Sequence, residues 1–422
     1  MSSSFSIALS ALEAESQAIN TTGNNLANMN TDGFKESEVD FKDLFSQYYG
    51  TSSQVQTGLG VSVPQGNQVF TQGSIESSQS PLDAAIQGNG FFVVQSASGQ
   101  SLYTRDGNFT TNADGVLQTQ TGETVQGWMA TSGGSINTTG PTTAITLPTG
   151  QVLPPTATQN FTLSANLDAQ AVAGTSTGTF SAPMQIVDSL GNTHNLTVTF
   201  TQSATSANTW NYNVTIPSGD LTGGTAGQQT SLLATPGSIT FNSDGTMSTT
   251  GGTAPVALNI NGLADGAANM NINWNLFNSN GQGNITEYAE ASNLASSSQD
   301  GNQAAQLTSV AIQSGGQVVA TYSNGQTQVE AQLAMASVEN PNSLQNVGNN
   351  NYAVSSDTAT PAVGVPQTGG RGQILGSSLE SSNVDMATEF THLIVYQSAY
   401  QASSRVISTV NTMNQDLFSL IH

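Results

Sequence analysis

Apolar positions at the two ends of the chain recur at helical spacing, while those between them recur mostly at strand spacing. From Leu393, alternate steps of three and four reach Tyr396, Tyr400, Ser403, Ile407, Val410, Asn414, Leu417 and Ile421, apolar at all but Ser403 and Asn414. This is a seam of coiled-coil type. No Gly or Pro interrupts the run from Ser382 to His422. The pattern predicts one helix of about 38 residues, roughly 57 Å long. Ser382 or Asn383 is the expected N-cap, and Asp385 and Glu389 fall where the helix dipole favours negative charge. A helix this long carries an apolar stripe that it cannot bury by itself.

The other end repeats the pattern. Phe5, Leu9, Leu12, Ser16, Ile19, Gly23 and Leu26 follow the same steps, with Ala8, Ala11, Ala14 and Ala18 adding helix propensity. The expected shared seam joins Phe5, Leu9, Leu12, Ile19 and Leu26 to Leu393, Tyr396, Tyr400, Ile407, Val410, Leu417 and Ile421. The first helix should stop where Asn28, Asn30, Asp32 and Gly33 cluster. In the segment that follows, Phe41, Leu44 and Phe45 would meet on one face if it is helical.

Between the ends the period drops to two. Phe91 to Val94, Leu102 to Thr104, Met184 to Val187, Leu196 to Phe200, Trp210 to Ile216, Gln317 to Tyr322 and Gln328 to Val338 read as strands. Asp106-Gly107, Asp114-Gly115, Asp244-Gly245 and Asn324-Gly325 supply tight turns. Residues 141–158 and 364–376 read as linkers, and a Ser/Asn/Gln-rich passage, 291–306, returns the chain to the last β block. The predicted fold is a mainly β multidomain chain whose N- and C-terminal α-helices form a paired, coiled-coil-like domain, in nested, discontinuous order. The expected parts are 1–30 plus 377–422 (helical), 31–75 (connecting), 76–155 plus 292–376 (β core) and 156–291 (an inserted outer β domain).

Charge narrows the function. The 27 acidic residues against five basic ones give a formal net charge of −22. Lys35, Lys42, Arg105, Arg371 and Arg405 cannot form a cationic surface, so nucleic-acid binding is not expected. No apolar run could span a bilayer, so membrane insertion is not expected either. Without cysteine there is no disulfide framework, thiolate metal site or thiol nucleophile. The start, Met1 to Leu9, lacks a basic n-region, so a cleaved signal is not expected.

Catalytic constellations are hard to find. His194 and His392 lack ligand-type spacing and read as surface polar residues. Asp106, Asn108, Asn112 and Asp114 lack the glycine offset and closing Glu of a calcium loop, so they read as turn residues. No Lys follows Lys42 to complete a phosphate-cradling loop. The expectation is a non-enzyme with no catalytic residues, metal or cofactor. The Ser/Thr-rich β middle alone would also suit a secreted adhesin, a reading that leaves the two end helices unexplained.

Particular residues narrow it further. Thr22-Gly23-Asn24-Asn25-Leu26-Ala27-Asn28, Asn30-Thr31-Asp32-Gly33-Phe34-Lys35, Ser382-Asn383-Val384-Asp385 and Tyr396-Gln397-Ser398-Ala399-Tyr400-Gln401 resemble the signature ends of the bacterial flagellar rod and hook axial proteins. Leu82-Asp83-Ala84-Ala85-Ile86, Gly88-Asn89-Gly90-Phe91-Phe92 and Tyr103-Thr104-Arg105-Asp106-Gly107-Asn108-Phe109 resemble their first core block. Ala165-Asn166-Leu167-Asp168, Val187-Asp188-Ser189-Leu190-Gly191-Asn192 and Phe241-Asn242-Ser243-Asp244-Gly245 resemble the inserted outer domain that hook members carry and distal-rod members lack.

The resemblance implies a structural subunit that polymerises into a helical tube, transmits torque and flexes. It implies export through the flagellar type III apparatus to an extracellular position in the hook and basal body. Its implied partners are further copies of the chain, the distal rod protein, the hook cap and the hook–filament junction protein. Phe41-Lys42-Asp43-Leu44-Phe45 is similar to the export element of early flagellar substrates, with Phe41 and Phe45 as its anchors.

Overall fold

The computed structural model describes residues 2–45, 58–62, 66–131, 134–250 and 252–419. It is mainly β, with a long helix at each end: α1, Ser2–Ala27, and α2, Met386–Ser419. The chain divides into two compact units. One comprises Met1–Thr149, Thr308–Thr321 and Thr327–His422, and the other Gly150–Leu307 and Tyr322–Gln326.

The first unit is built on an antiparallel sheet. In spatial order its central strands are Gln317–Tyr322, Thr327–Leu333, Thr124–Met129, Phe91–Gln95, Ser101–Thr104, Asn351–Ala353 and Gln345–Gly348. Phe91-Phe92-Val93-Val94 is apolar throughout because both faces of this strand are covered. Phe92 and Val94 join one core cluster, Phe91 and Val93 another. On the second face Phe70, Phe91 and Tyr352 meet edge to face at 5.3–5.9 Å between ring centres.

The second unit encloses one core between two five-stranded sheets. Strands Asn160–Asp168, Thr193–Gln202 and Thr209–Pro217 alternate buried and more exposed residues, as expected of sheets covered on one face. Trp274 stacks on Phe161 at 5.8 Å and meets Tyr212 edge-on at 5.1 Å. Asn293–Gln299, within the Ser/Asn/Gln-rich passage, is an edge strand antiparallel to Asn160–Asp168. Backbone pairing and the Thr162–Ser298 hydroxyl bond hold it there, so it needs little apolar signal.

Two local expectations are corrected. Lys42–Phe45 is a strand paired with Gly58–Ser62, not a helical turn, so its aromatics do not share a helical face. The N-cap of α2 is Asp385, whose Oδ1 accepts from Thr388 N at 2.7 Å. Asn383 is unavailable for capping because its amide is bonded to Val69 O and Thr71 Oγ1 and its oxygen to Glu36 N.

Candidate functional site: where the chain ends meet the β core

α1 and α2 pack against each other. α1 buries its small side chains most completely, namely Ala8, Ala14, Ala18, Thr22 and Asn25. Short side chains let neighbouring backbone approach closely, and the hairpin strand Gly58–Ser62 comes near enough that a Cβ on Gly60 would lie 2.2 Å from Ser10 Oγ. Of the residues expected on the seam, Leu12, Ile19 and Leu26 are half-buried, while Phe5 and Leu9 stay 39% and 40% exposed.

On α2, Val410 is buried, Leu393, Tyr396 and Ile407 are half-buried, and Tyr400 is 37% exposed. The interruptions Ser403 and Asn414 are half-buried on the same side. The side chain of Leu417, like Ile421, lies outside the described residues. Outside the seam, and unread in the sequence, Phe390 and Ile394 on one flank of α2 and Val395, Val406 and Met413 on the other are exposed. Phe41 is exposed, its ring 6.0 Å from that of Tyr396, and the Phe45 side chain is outside the described residues.

Just beyond the helices the two termini are fastened to the sheet unit by a buried ionic clasp. Glu380 Oε1 accepts from Lys35 Nζ at 2.6 Å and Gly73 N at 3.0 Å, and its Oε2 from Arg105 Nη1 at 3.0 Å. Lys35 and Glu380 have no exposed side-chain surface, and Arg105 is 5% exposed. Lys35 Nζ also donates to Thr71 O, and Arg105 Nη2 to Gly88 O, with the guanidinium 5.4 Å from the Phe91 ring centre. Burial pushes the Lys35 ammonium below its ordinary range, against the attraction of Glu380. Sharing one carboxylate and adjacent carbonyls between two cations satisfies Lys35 Nζ and both terminal nitrogens of Arg105, while Arg105 Nε is buried without a partner.

The residues around the clasp are fixed by backbone demands. Gly33 sits at φ +68° and donates from its N to Glu380 O at 2.7 Å; a Cβ there would lie 2.5 Å from Asp106 N. Asn25 exchanges two bonds with the Ser37 backbone, at 2.9 and 3.0 Å, and so acts as a strand partner supplied by a helix. Asn350 donates to Asp32 O at 2.9 Å. Thus Asn25, Gly33, Lys35, Arg105 and Asn383, all within the motifs of the resemblance, converge on one joint. Glu380, its centre, was not singled out by sequence reasoning.

Asp106 beside this joint carries a pH dependence. Burial, with Asp32 and Asp83 nearby, pushes its carboxyl up to about 6 from 3.8. Its folded state therefore holds the proton more tightly than the unfolded chain does. The fold has its full advantage below pH about 4 and loses it as pH rises through about 6. Asn in its place keeps the acceptor that Asp106 Oδ1 offers to Asn108 N. Asp106→Asn is expected to stabilise the first unit by about 3 kcal/mol at pH 7.5 and by little at pH 4, measured by denaturant unfolding at both pH values.

His194, expected at the surface, is buried in the second unit between carboxylates; His392 is exposed beside the Tyr396 ring. Asp106, Asn112 and Asp114 form turns, with Asn112 Oδ1 accepting from Asp114 N and Val116 N. No described helix is long and apolar enough to cross a membrane.

Joined terminal helices on a β scaffold define an axial-type subunit, and comparison with known proteins gives the same class. Residues 5–35 match the flagella basal body rod protein family, and 376–420 the flagellar basal body rod FlgEFG protein C-terminal family. Residues 85–182 match the flagellar hook protein FlgE/F/G D1 domain, and 162–302 the flagellar basal body protein FlaE D2 domain. The chain is 30% identical to flagellar hook protein FlgE of Escherichia coli (strain K12), over 99% of each chain. It is 29% identical to that of Treponema pallidum (strain Nichols), over 98% of each. A crystal structure of Helicobacter pylori flagellar hook protein FlgE2 superposes with a TM-score of 0.54 at 15% identity, covering 72% of this chain and all of that one, which bears on the fold alone.

The chain belongs to the flagellar hook protein FlgE family. It is a structural subunit of the flagellar hook, not an enzyme.

Proposed function

We propose that this chain polymerises into a curved tube in which α1 and α2 pair as a coiled-coil-like inner wall and the β domains lie outside, nested as 1–30 plus 377–422, 31–75, 76–155 plus 292–376, and 156–291. The observation that carries this is the set of apolar side chains on both flanks of the α2 seam, Phe390, Ile394, Val395, Val406 and Met413, left in water although α1 already covers part of the helix. Apolar flanks of this kind need another surface, and identical helices of neighbouring copies supply one. The two-unit division, with both ends in one unit and 150–307 in the other, supports the nesting. Polar, weakly charged β surfaces suit contacts that slide while torque passes from rod to filament.

In this reading the chain is exported unprocessed through the type III apparatus to an extracellular site. It meets the distal rod protein at one end of the tube, the hook cap during growth and the hook–filament junction protein at the other end. Electron microscopy of the polymer is the test: a curved tube is expected, and a straight one would indicate a rod-like subunit. Phe41 and Phe45 are proposed as export anchors, supported by the exposure of Phe41. The double variant Phe41→Ala, Phe45→Ala is expected to lower secreted protein several-fold with the folded core unchanged; normal secretion would remove that role.

A further inference from the structure

The inserted stretch 150–307 has eight acidic residues and neither Lys nor Arg, with His194 as its one histidine. Three of its carboxylates nevertheless converge on that ring. Asp188 has no exposed surface; its Oδ1 accepts from Leu190 N and Asn192 N at 2.8 and 2.9 Å, which aims Oδ2 at His194 Nε2, 3.2 Å away. Asp265 is held by Ala267 N on Oδ1 and by Asn192 Nδ2 on Oδ2, which lies 3.5 Å from the same ring nitrogen. On the far side, Asp220 Oδ2 is 3.0 Å from Nδ1.

The carboxylate of Asp220 behind the imidazole holds a proton on Nδ1, which leaves Nε2 directed between two further carboxylates. With no ion present a second proton on Nε2, bonded to Asp188, separates the carboxylates, and a divalent cation can take that proton's place. We propose that Asp188 Oδ2, His194 Nε2 and Asp265 Oδ2 hold a divalent transition-metal ion of the zinc class, with Asp220 orienting the ring from behind.

The three ligand atoms lie within 4.8 Å of one another. The nitrogen–oxygen separations of 3.2 and 3.5 Å bracket the edge of about 3.3 Å expected for a tetrahedron with bonds of about 2.05 Å. One imidazole and two carboxylates suit zinc, cobalt or manganese better than calcium, which takes more oxygens. Asp265 is 25% exposed, so an ion can enter on its side and keep a water as fourth ligand. Bound there, it would tie the Asp188–Thr193 turn to the loop carrying Asp265, which joins strands Val256–Ile260 and Met270–Asn275. It would thereby stiffen the inserted unit in place of the missing Lys and Arg.

The test is calorimetric titration of the full-length, chelator-treated chain with zinc chloride at pH 7.5, paired with cobalt(II) absorption to read the geometry. One zinc per chain is expected, with a Kd of about 10 μM or tighter and intense visible cobalt bands. Asp265→Asn and Asp220→Asn should each weaken binding about 10- to 100-fold, and His194→Gln should abolish it. If His194→Gln fails to fold, the more exposed Asp265→Asn and Asp220→Asn carry the comparison. Absence of saturable binding below about 100 μM zinc, binding indifferent to Asp265→Asn, or a His194 ring protonated on both nitrogens in excess zinc would each overturn the site.

Discussion

Glu380→Ala should lower the unfolding temperature of the unit carrying both chain ends by on the order of 10 °C. The carboxylate is the shared acceptor of Lys35 and Arg105, both withdrawn from water. Removing it leaves two buried cations without a counter-charge, a change that costs about 3–5 kcal/mol where one partner of a buried pair is lost. Lys35 can relieve part of this by releasing its proton, since burial already lowers its pKa; Arg105 cannot. Glu380→Gln, which keeps an acceptor but no charge, should fall between wild type and alanine. Calorimetry of the full chain makes the comparison, and the transition of the Trp210 and Trp274 core should not move. Equal loss in both transitions would mean that the clasp does not act locally.

The second large effect concerns assembly. Tyr400→Asp with Ile407→Asp should leave both β units folded and abolish polymer formation, read by sedimentation and electron microscopy beside far-ultraviolet circular dichroism. Tyr400 is partly exposed and Ile407 half-buried on the same side of α2. In the monomer a charge there can still reach water. In a tube it would be enclosed between helices of adjacent copies, where an unpaired carboxylate costs several kcal/mol per subunit and the loss repeats at every lattice position. Normal tubes from this variant would remove α2 from the proposed wall.

What could be read from the sequence follows from how each element is stabilised. α2 announced itself because a seam of apolar residues at steps of three and four has no other simple cause. The strand Phe91–Gln95 and the turns at Asp244-Gly245 and Asn324-Gly325 were equally plain, with both glycines at φ near +80°. The strand Asn293–Gln299 was not, because its stabilisation comes from backbone pairing rather than burial. On α1 the periodicity was visible, but the large residues marked as seam are not the most buried ones. Close approach favours the alanines, and Phe5 and Leu9 are left facing out. Glu380 escaped notice among the other acids, and Asp188 was read only as part of a motif, for a related reason. Their partners are set by tertiary structure, 345 residues away for Lys35 and across a buried ring for His194, and no local pattern encodes that.

The central claim is that the end helices form a seam completed by other copies of the chain. Hydrogen exchange of residues 5–26 and 386–419, compared between monomer and polymer, tests it most directly. Weak protection in the monomer, rising at least a hundredfold on polymerisation while the strands of both β units change little, is the predicted result. Equal, strong protection of these helices in both states would contradict it.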